Sequence, residues 1–165
     1  MKRESMQSAL DWFREKPGRV TALRIADKCC VVSAVAAFLY SALLSPGLRD
    51  PKLTLRFLLT CGIPFVLLSA ARHLLDLPRP YEVWDLEPLT ERESAGRSFP
   101  SRHVFSIFVI GTAELFLTPW LGAVLLPLGA VLAVTRVVSG LHFPRDVIAG
   151  AALGAASAAV GFLCF

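Results

Sequence analysis

The hydrophobic residues of this chain gather into long uncharged blocks. Residues 29–48 carry no charged side chain, nor do 57–71 or 147–165, and between His103 and Thr135 the only charged residue is Glu114. A soluble helix needs a polar face, and these blocks offer none. A bilayer core takes about 20 apolar residues per helix, and shorter spans are accommodated by snorkelling or local thinning. The pattern predicts an all-α, polytopic membrane helix bundle of about five transmembrane helices. The first span runs from Cys29 to Leu44 and is closed by Ser45-Pro46-Gly47; the second runs from Leu53 to Ala71. The third begins near His103 and ends at Thr118-Pro119, and the fourth covers Trp120 to Val134 with a kink at Pro127. The fifth starts at Pro144, a favourable first helical position, and carries a GxxxG step at Gly150 and Gly154 that lets another helix approach closely.

Two polar stretches flank these blocks. Residues 1–28 form an N-terminal segment in which 5–16 read as an amphipathic helix: Met6, Leu10 and Phe13 share one face, Trp12 lies beside them, and Lys16-Pro17-Gly18 ends it. Trp and basic residues suit the membrane interface, where this helix is expected to lie. No cleavable leader is visible, so the first apolar run is expected to act as the insertion signal. Residues 72–102 contain Pro78, Pro80, Pro88 and Pro100, which argue for a loop. The whole of 1–165 reads as one domain.

Composition agrees: 55% of residues are hydrophobic, and the mean hydropathy is +0.58. The net charge of +4 suits anionic headgroups or substrates, while no soluble basic face points to nucleic acid. Cys29, Cys30, Cys61 and Cys164 lie in or beside apolar runs without CxxC or Cys/His spacing, so they read as packing residues rather than zinc ligands or a disulfide framework.

Counting crossings brings Arg72, Arg79, Ser101, Arg102, His103, Arg136, His142 and Asp146 to one membrane face. Those residue types fit phosphate chemistry. Guanidinium forks match phosphate oxygens, and helix N-termini favour anions. One histidine can attack phosphorus while another protonates the departing oxygen. A carboxylate can fix the tautomer of the attacking ring. His142 and Asp146, four apart at a helix start, are spaced to meet. No carboxylate cluster is offered to a metal, so the arginines would supply the positive charge.

These residues fall into three ordered motifs: Arg72-x6-Arg79-Pro80, Pro100-Ser101-Arg102-His103, and Thr135-Arg136-x5-His142-x3-Asp146. They resemble the type 2 phosphatidic acid phosphatase (PAP2) family, related to the vanadium-dependent haloperoxidases, whose motifs read K-x6-RP, PSGH and SR-x5-H-x3-D. The resemblance implies that His142 is the nucleophile, Asp146 its orienting partner and His103 the general acid. It also implies that Arg72, Arg79 and Arg136 bind phosphate oxygens with Ser101, and that neither cofactor nor metal takes part. Arg72 stands where lysine is usual, Arg102 where glycine is usual and Thr135 where serine is usual. Arg102 adds a cation to the expected phosphate-binding set. The family's six spans are reduced here to five, with the N-terminal amphipathic segment standing in for the sixth.

Other residues take blander readings. His73, Arg145, Arg92 and Arg97 read as interfacial or loop side chains, the last two interleaved with Glu91 and Glu93. Glu114 reads as a snorkelling or interhelical hydrogen-bonding group. The expected activity is that of a multi-pass cell-membrane phosphatase or diphosphatase. Its candidate lipid substrates are a polyprenyl diphosphate, phosphatidic acid or phosphatidylglycerophosphate. A non-enzymatic anionic-lipid binder or flippase is the alternative, and a vanadate peroxidase is disfavoured because that chemistry calls for no membrane. Of the 17 Lys and Arg residues, 14 lie on the side of the motifs and the N-terminus. The positive-inside rule thus favours a cytoplasmic site, whereas the resemblance to bacterial family members favours the outer face.

Overall fold

The computed structural model describes residues 2–44, 50–92 and 96–164. Among them the chain is all-helical: α1 (Arg3–Arg14), α2 (Pro17–Leu44), α3 (Pro51–Leu75), the short α4 (Pro80–Trp84), α5 (Arg102–Leu117), α6 (Pro119–Val138) and α7 (Pro144–Leu163). The Ser45-Pro46-Gly47 stop and Glu93 lie outside the described residues. Three stretches among those described are long and apolar enough to cross a membrane: Pro51–Trp84, Pro119–Val138 and Pro144–Leu163. At 16 residues α5 is shorter, and α2 carries Arg24, Asp27 and Lys28 in its first half.

Proline sets several of the boundaries. Pro51, Pro119 and Pro144 open α3, α6 and α7, where a missing N–H leaves no bond unmade. Asp50 caps α3 by accepting the Lys52 N–H at 2.9 Å. Pro17, expected only to end the amphipathic helix, is also the first residue of α2. The helix of the first span therefore begins twelve residues before Cys29, and its charged first half projects to the polar end of the bundle. Pro64 and Pro127 sit inside α3 and α6, and both helices continue past them. The fourth span also runs beyond Val134, carrying Thr135 and Arg136 on its last turn.

Helix α5 is the centre of the bundle, packed by α7, α6, α3 and α2. Its contact with α7 has no side chain between the backbones at two points. A Cβ on Gly150 would stand 2.6 Å from the Ser101 carbonyl oxygen, and one on Gly154 would stand 2.6 Å from that of Phe105. The GxxxG step thus does what its spacing predicts. Replacing Gly154 with valine should lower the unfolding temperature in detergent, at a cost of about 1–3 kcal/mol for the forced separation. An unchanged midpoint would contradict this packing.

The apolar face of α1 is turned onto protein. Met6 and Leu10 are fully buried in a cluster with Leu23, Tyr81, Leu86, Leu89 and Leu141, and Arg14 donates to the Glu87 carbonyl. The helix is amphipathic as its spacing predicts, but it covers the 72–102 segment with the face expected to meet lipid; Trp12 stays half-exposed. Glu114 does not snorkel. It is fully buried within the bundle, with Ser41 of α2 and Thr118 beside its carboxyl. All four cysteines are free.

Candidate active site

The polar end of the bundle is assembled around the starts of α5 and α7. The Ser101 N–H donates to the Asp146 carbonyl at 2.9 Å, which ties the two helix starts together. In the first turn of α7 one oxygen of the Asp146 side chain, Oδ2, accepts the Phe143 N–H at 3.0 Å and the Ser98 hydroxyl at 2.6 Å. The same oxygen lies 3.7 Å from His142 Nδ1. That is an ion-pair separation rather than a hydrogen-bond length, and catalytic contacts commonly tighten only when substrate is bound. Both side chains are withdrawn from solvent. The His142 N–H is tied back to the Arg136 carbonyl at 3.2 Å, so α6 and α7 are linked across the tight Ser139–Phe143 connection.

Arginines frame this pair. At the end of α3, Arg72 is buried and donates to the carbonyls of Ser98, at 3.3 Å, and Pro100. It thereby holds the segment leading into α5. Arg79, almost fully buried, donates through Nε to the Gly96 carbonyl at 3.2 Å and through Nη1 to the Leu141 carbonyl at 3.4 Å. Glu82 supports the same loop: its carboxylate accepts the N–H groups of Arg79 and Gly96. Arg136 is buried on the last turn of α6 and pairs with Asp27 of α2, with Nε 2.9 Å from one carboxylate oxygen. A guanidinium carries five N–H donors, so none of these bonds exhausts its fork.

The structure therefore brings Arg72, Arg79, Ser101, Arg136, His142 and Asp146 together. His103 sits half-buried in the first turn of α5, two residues from Ser101. Arg102 does not join them. It is exposed, with its guanidinium 5.9 Å above the Phe65 ring on the flank of α3. As placed, its guanidinium lies on the flank of α3, outside the cluster of buried arginines. His73 is exposed, and Arg145 lies largely in solvent, 3.5 Å from Asp146 Oδ1. Among the described residues, no three His, Cys, Asp or Glu side chains converge as a metal-binding group.

Three participants escaped the sequence reading: Ser98, Glu82 and Asp27. Ser98 meets Asp146 across 48 residues and Asp27 meets Arg136 across 109, separations at which spacing carries no signal. The only hint was a carboxylate two residues before an uncharged block.

Buried guanidinium groups near an imidazole–carboxylate pair, at the polar end of an apolar helix bundle, are a set of side chains suited to holding a phosphate. The chain belongs to the PAP2 superfamily, a class of lipid phosphatases that hydrolyse phosphoester bonds; the family profile matches residues 53–165. A segment of 61 residues, 37% of this chain, is 41% identical to the bacitracin transport permease protein BcrC of Bacillus licheniformis and spans 30% of that relative's length. The fold is similar to that of LpxE from Aquifex aeolicus: TM-score 0.71 and 20% identity, over 98% of this chain and 94% of that one. It is also similar to that of a transmembrane PAP2 type phosphatidylglycerolphosphate phosphatase from Bacillus subtilis, with TM-score 0.66 and 20% identity over 96% and 81% of the two chains.

The loop grip of Arg72 and the phosphate contact expected of it can be separated. Arg72→Lys keeps the cation but not the fork, and should retain activity within about tenfold because a single ammonium still serves phosphate as a point charge. Arg72→Ala should lose about 10²–10³-fold, the scale of one missing charge-stabilising donor. Steady-state rates of the two variants check this.

Proposed function

We propose that this protein is a metal-independent lipid phosphatase or diphosphatase of the cell membrane, working through a phosphohistidine. The observation that carries the reading is the fixed carboxylate of Asp146, set by Ser98 and the Phe143 N–H beside His142 Nδ1. A carboxylate on the Nδ1 edge keeps the proton there and makes the opposite nitrogen, Nε2, the attacking atom. In the first step Nε2 bonds to phosphorus and the bond from phosphorus to the lipid-side oxygen breaks, while His103 gives that oxygen a proton. In the second, His103 takes a proton from water, whose oxygen attacks phosphorus. The N–P bond breaks, and inorganic phosphate leaves with His142 restored. Arg72, Arg79 and Arg136 bear the phosphoryl charge throughout, and Ser101 adds a donor at the start of α5.

Five crossings, by α2, α3, α5, α6 and α7, would put this chemistry at one water interface with the lipid tail still in the bilayer. The positive-inside count favours the cytoplasmic side. Labelling single cysteines placed near residues 48 and 90 reports which face is which. Phosphatidylglycerophosphate is supported as a candidate by the name of the Bacillus subtilis structure; a polyprenyl diphosphate and phosphatidic acid remain in the panel. The name of the Bacillus licheniformis relative, a transport permease, keeps a lipid carrier as the second reading. A carrier needs the arginines but not the oriented imidazole. The test is phosphate release from the three lipids by purified protein in detergent containing chelator. Release that vanadate inhibits is the expected result; its absence with every lipid sinks the phosphatase reading.

A further inference from the structure

Arg136 is anchored from a distant helix. Its Nε lies 2.9 Å from Asp27 Oδ1 and its Nη2 lies 3.0 Å from Oδ2. The Thr135 hydroxyl donates to the same Oδ1 at 3.0 Å. The side chains of the pair are only 6% and 13% exposed, so the interaction is shielded from the solvent that weakens surface ion pairs.

We propose that Asp27 is a positioning residue for the reaction: its carboxylate grips the side of the Arg136 guanidinium and so aims the end of that fork at the substrate phosphate. The inference rests on the phosphatase reading above. One Nη2 hydrogen bond and a close Nε contact with the same carboxylate fix the guanidinium plane. The directions of the fork are then set before substrate arrives, which is what preorganised charge stabilisation requires. A buried guanidinium also needs an anion while the site is empty, and Asp27 supplies it from outside the three motifs. Thr135 gains a purpose as well. Its hydroxyl, the feature it shares with the serine usual at that position, steadies the carboxylate. Because the Arg136 carbonyl receives the N–H groups of Leu141 and His142, both at 3.2 Å, a tilt of Arg136 is also felt where the nucleophile is held.

Asp27→Ala, Asp27→Asn and Asp27→Glu, with Arg136→Ala and the Asp27→Ala/Arg136→Ala double variant, test the proposal through two readouts: kcat/KM for phosphate release and inhibition by vanadate as a phosphate mimic. The Ala and Asn variants should lose up to about 10²-fold in kcat/KM, the scale of a misplacement near 1 Å, with a parallel loss of vanadate potency. Asp27→Glu should recover part of both. Once Arg136 is alanine, removing Asp27 should cost nothing further, because the two act as one unit. Losses that multiply in the double variant overturn the proposal. So does an Asp27→Asn protein with lowered thermal stability but wild-type kcat/KM and vanadate inhibition, which would make Asp27 only a link between α2 and α6. Should Asp27→Ala fail to fold, the isosteric Asp27→Asn decides. An active wild type with unaffected Asp27 variants defeats this inference alone, whereas an inactive wild type defeats the phosphatase reading beneath it.

Discussion

Replacing His142 with alanine should abolish phosphate release, by on the order of 10⁵-fold or more, as expected when the group that forms the covalent intermediate is removed. His142 is 1% exposed and sits where α7 begins, with Asp146 on one edge of its ring and the Arg136 carbonyl on its own N–H. His103 belongs to a different helix start, and the Ser98 hydroxyl is occupied with Asp146. Water delivered by His103 alone would meet phosphorus without a covalent stage, leaving only the stabilisation that the arginines provide. The measurement is single-turnover chemistry with radiolabelled lipid phosphate. Acid-labile label should attach to the wild-type protein and not to His142→Ala. A variant that turns over at more than a hundredth of the wild-type rate, or label found on another residue, would remove His142 from the role.

Asp146→Asn should cost about 10³–10⁴-fold, the loss seen when an orienting carboxylate becomes an amide. The change is nearly isosteric, so its effect comes from charge and protons. If the asparagine oxygen takes the Oδ2 position, it keeps the Ser98 and Phe143 donors and still faces the ring, but the negative charge that stabilises the imidazolium is gone. If the amide turns over, its NH2 takes that position: the Phe143 N–H loses its acceptor, Nδ1 must accept, the ring proton moves to Nε2, and the attacking nitrogen has no lone pair to offer. Vanadate inhibition should persist, since the guanidinium groups are untouched, while turnover collapses. Wild-type turnover by Asp146→Asn would show that the carboxylate does not choose the tautomer.

Much of this fold can be read from the chain, and the parts that cannot share a physical cause. The uncharged blocks announce the helices, and Pro144 with Gly150 and Gly154 announces both the start of α7 and its close partner. What the blocks conceal is helix that continues past the apolar region. Arg24, Asp27 and Lys28 look like the end of a polar leader, yet they lie on the same α-helix as the first span because Pro17 opens it. The same effect hides Thr135 and Arg136, which follow an apolar run but remain on α6. The site shows a parallel division. Motif spacing finds the residues that lie four or seven apart, and it finds them in order. It does not find Ser98 or Asp27, whose partners come from other elements, nor does it reveal that Arg102 points along the outside of α5 toward Phe65. A letter in a motif fixes a place on the backbone; the direction of its side chain depends on which neighbour the helix turns toward.

The glycine contacts between α5 and α7 limit how this machine can operate. His103 is carried on α5 and His142 on the connection just ahead of α7, and the starts of these two touching helices are stitched by the Ser101–Asp146 bond. No pliable side chain lies at those touching points to absorb a slide or a roll. The two rings therefore behave as a fixed anvil, and room for an incoming tail must come from the outer members of the bundle moving around it. Mutations on α2, α3 and α6 away from Asp27, Arg72 and Arg136 should speed or slow lipid admission and leave the rate of the bond-breaking step alone.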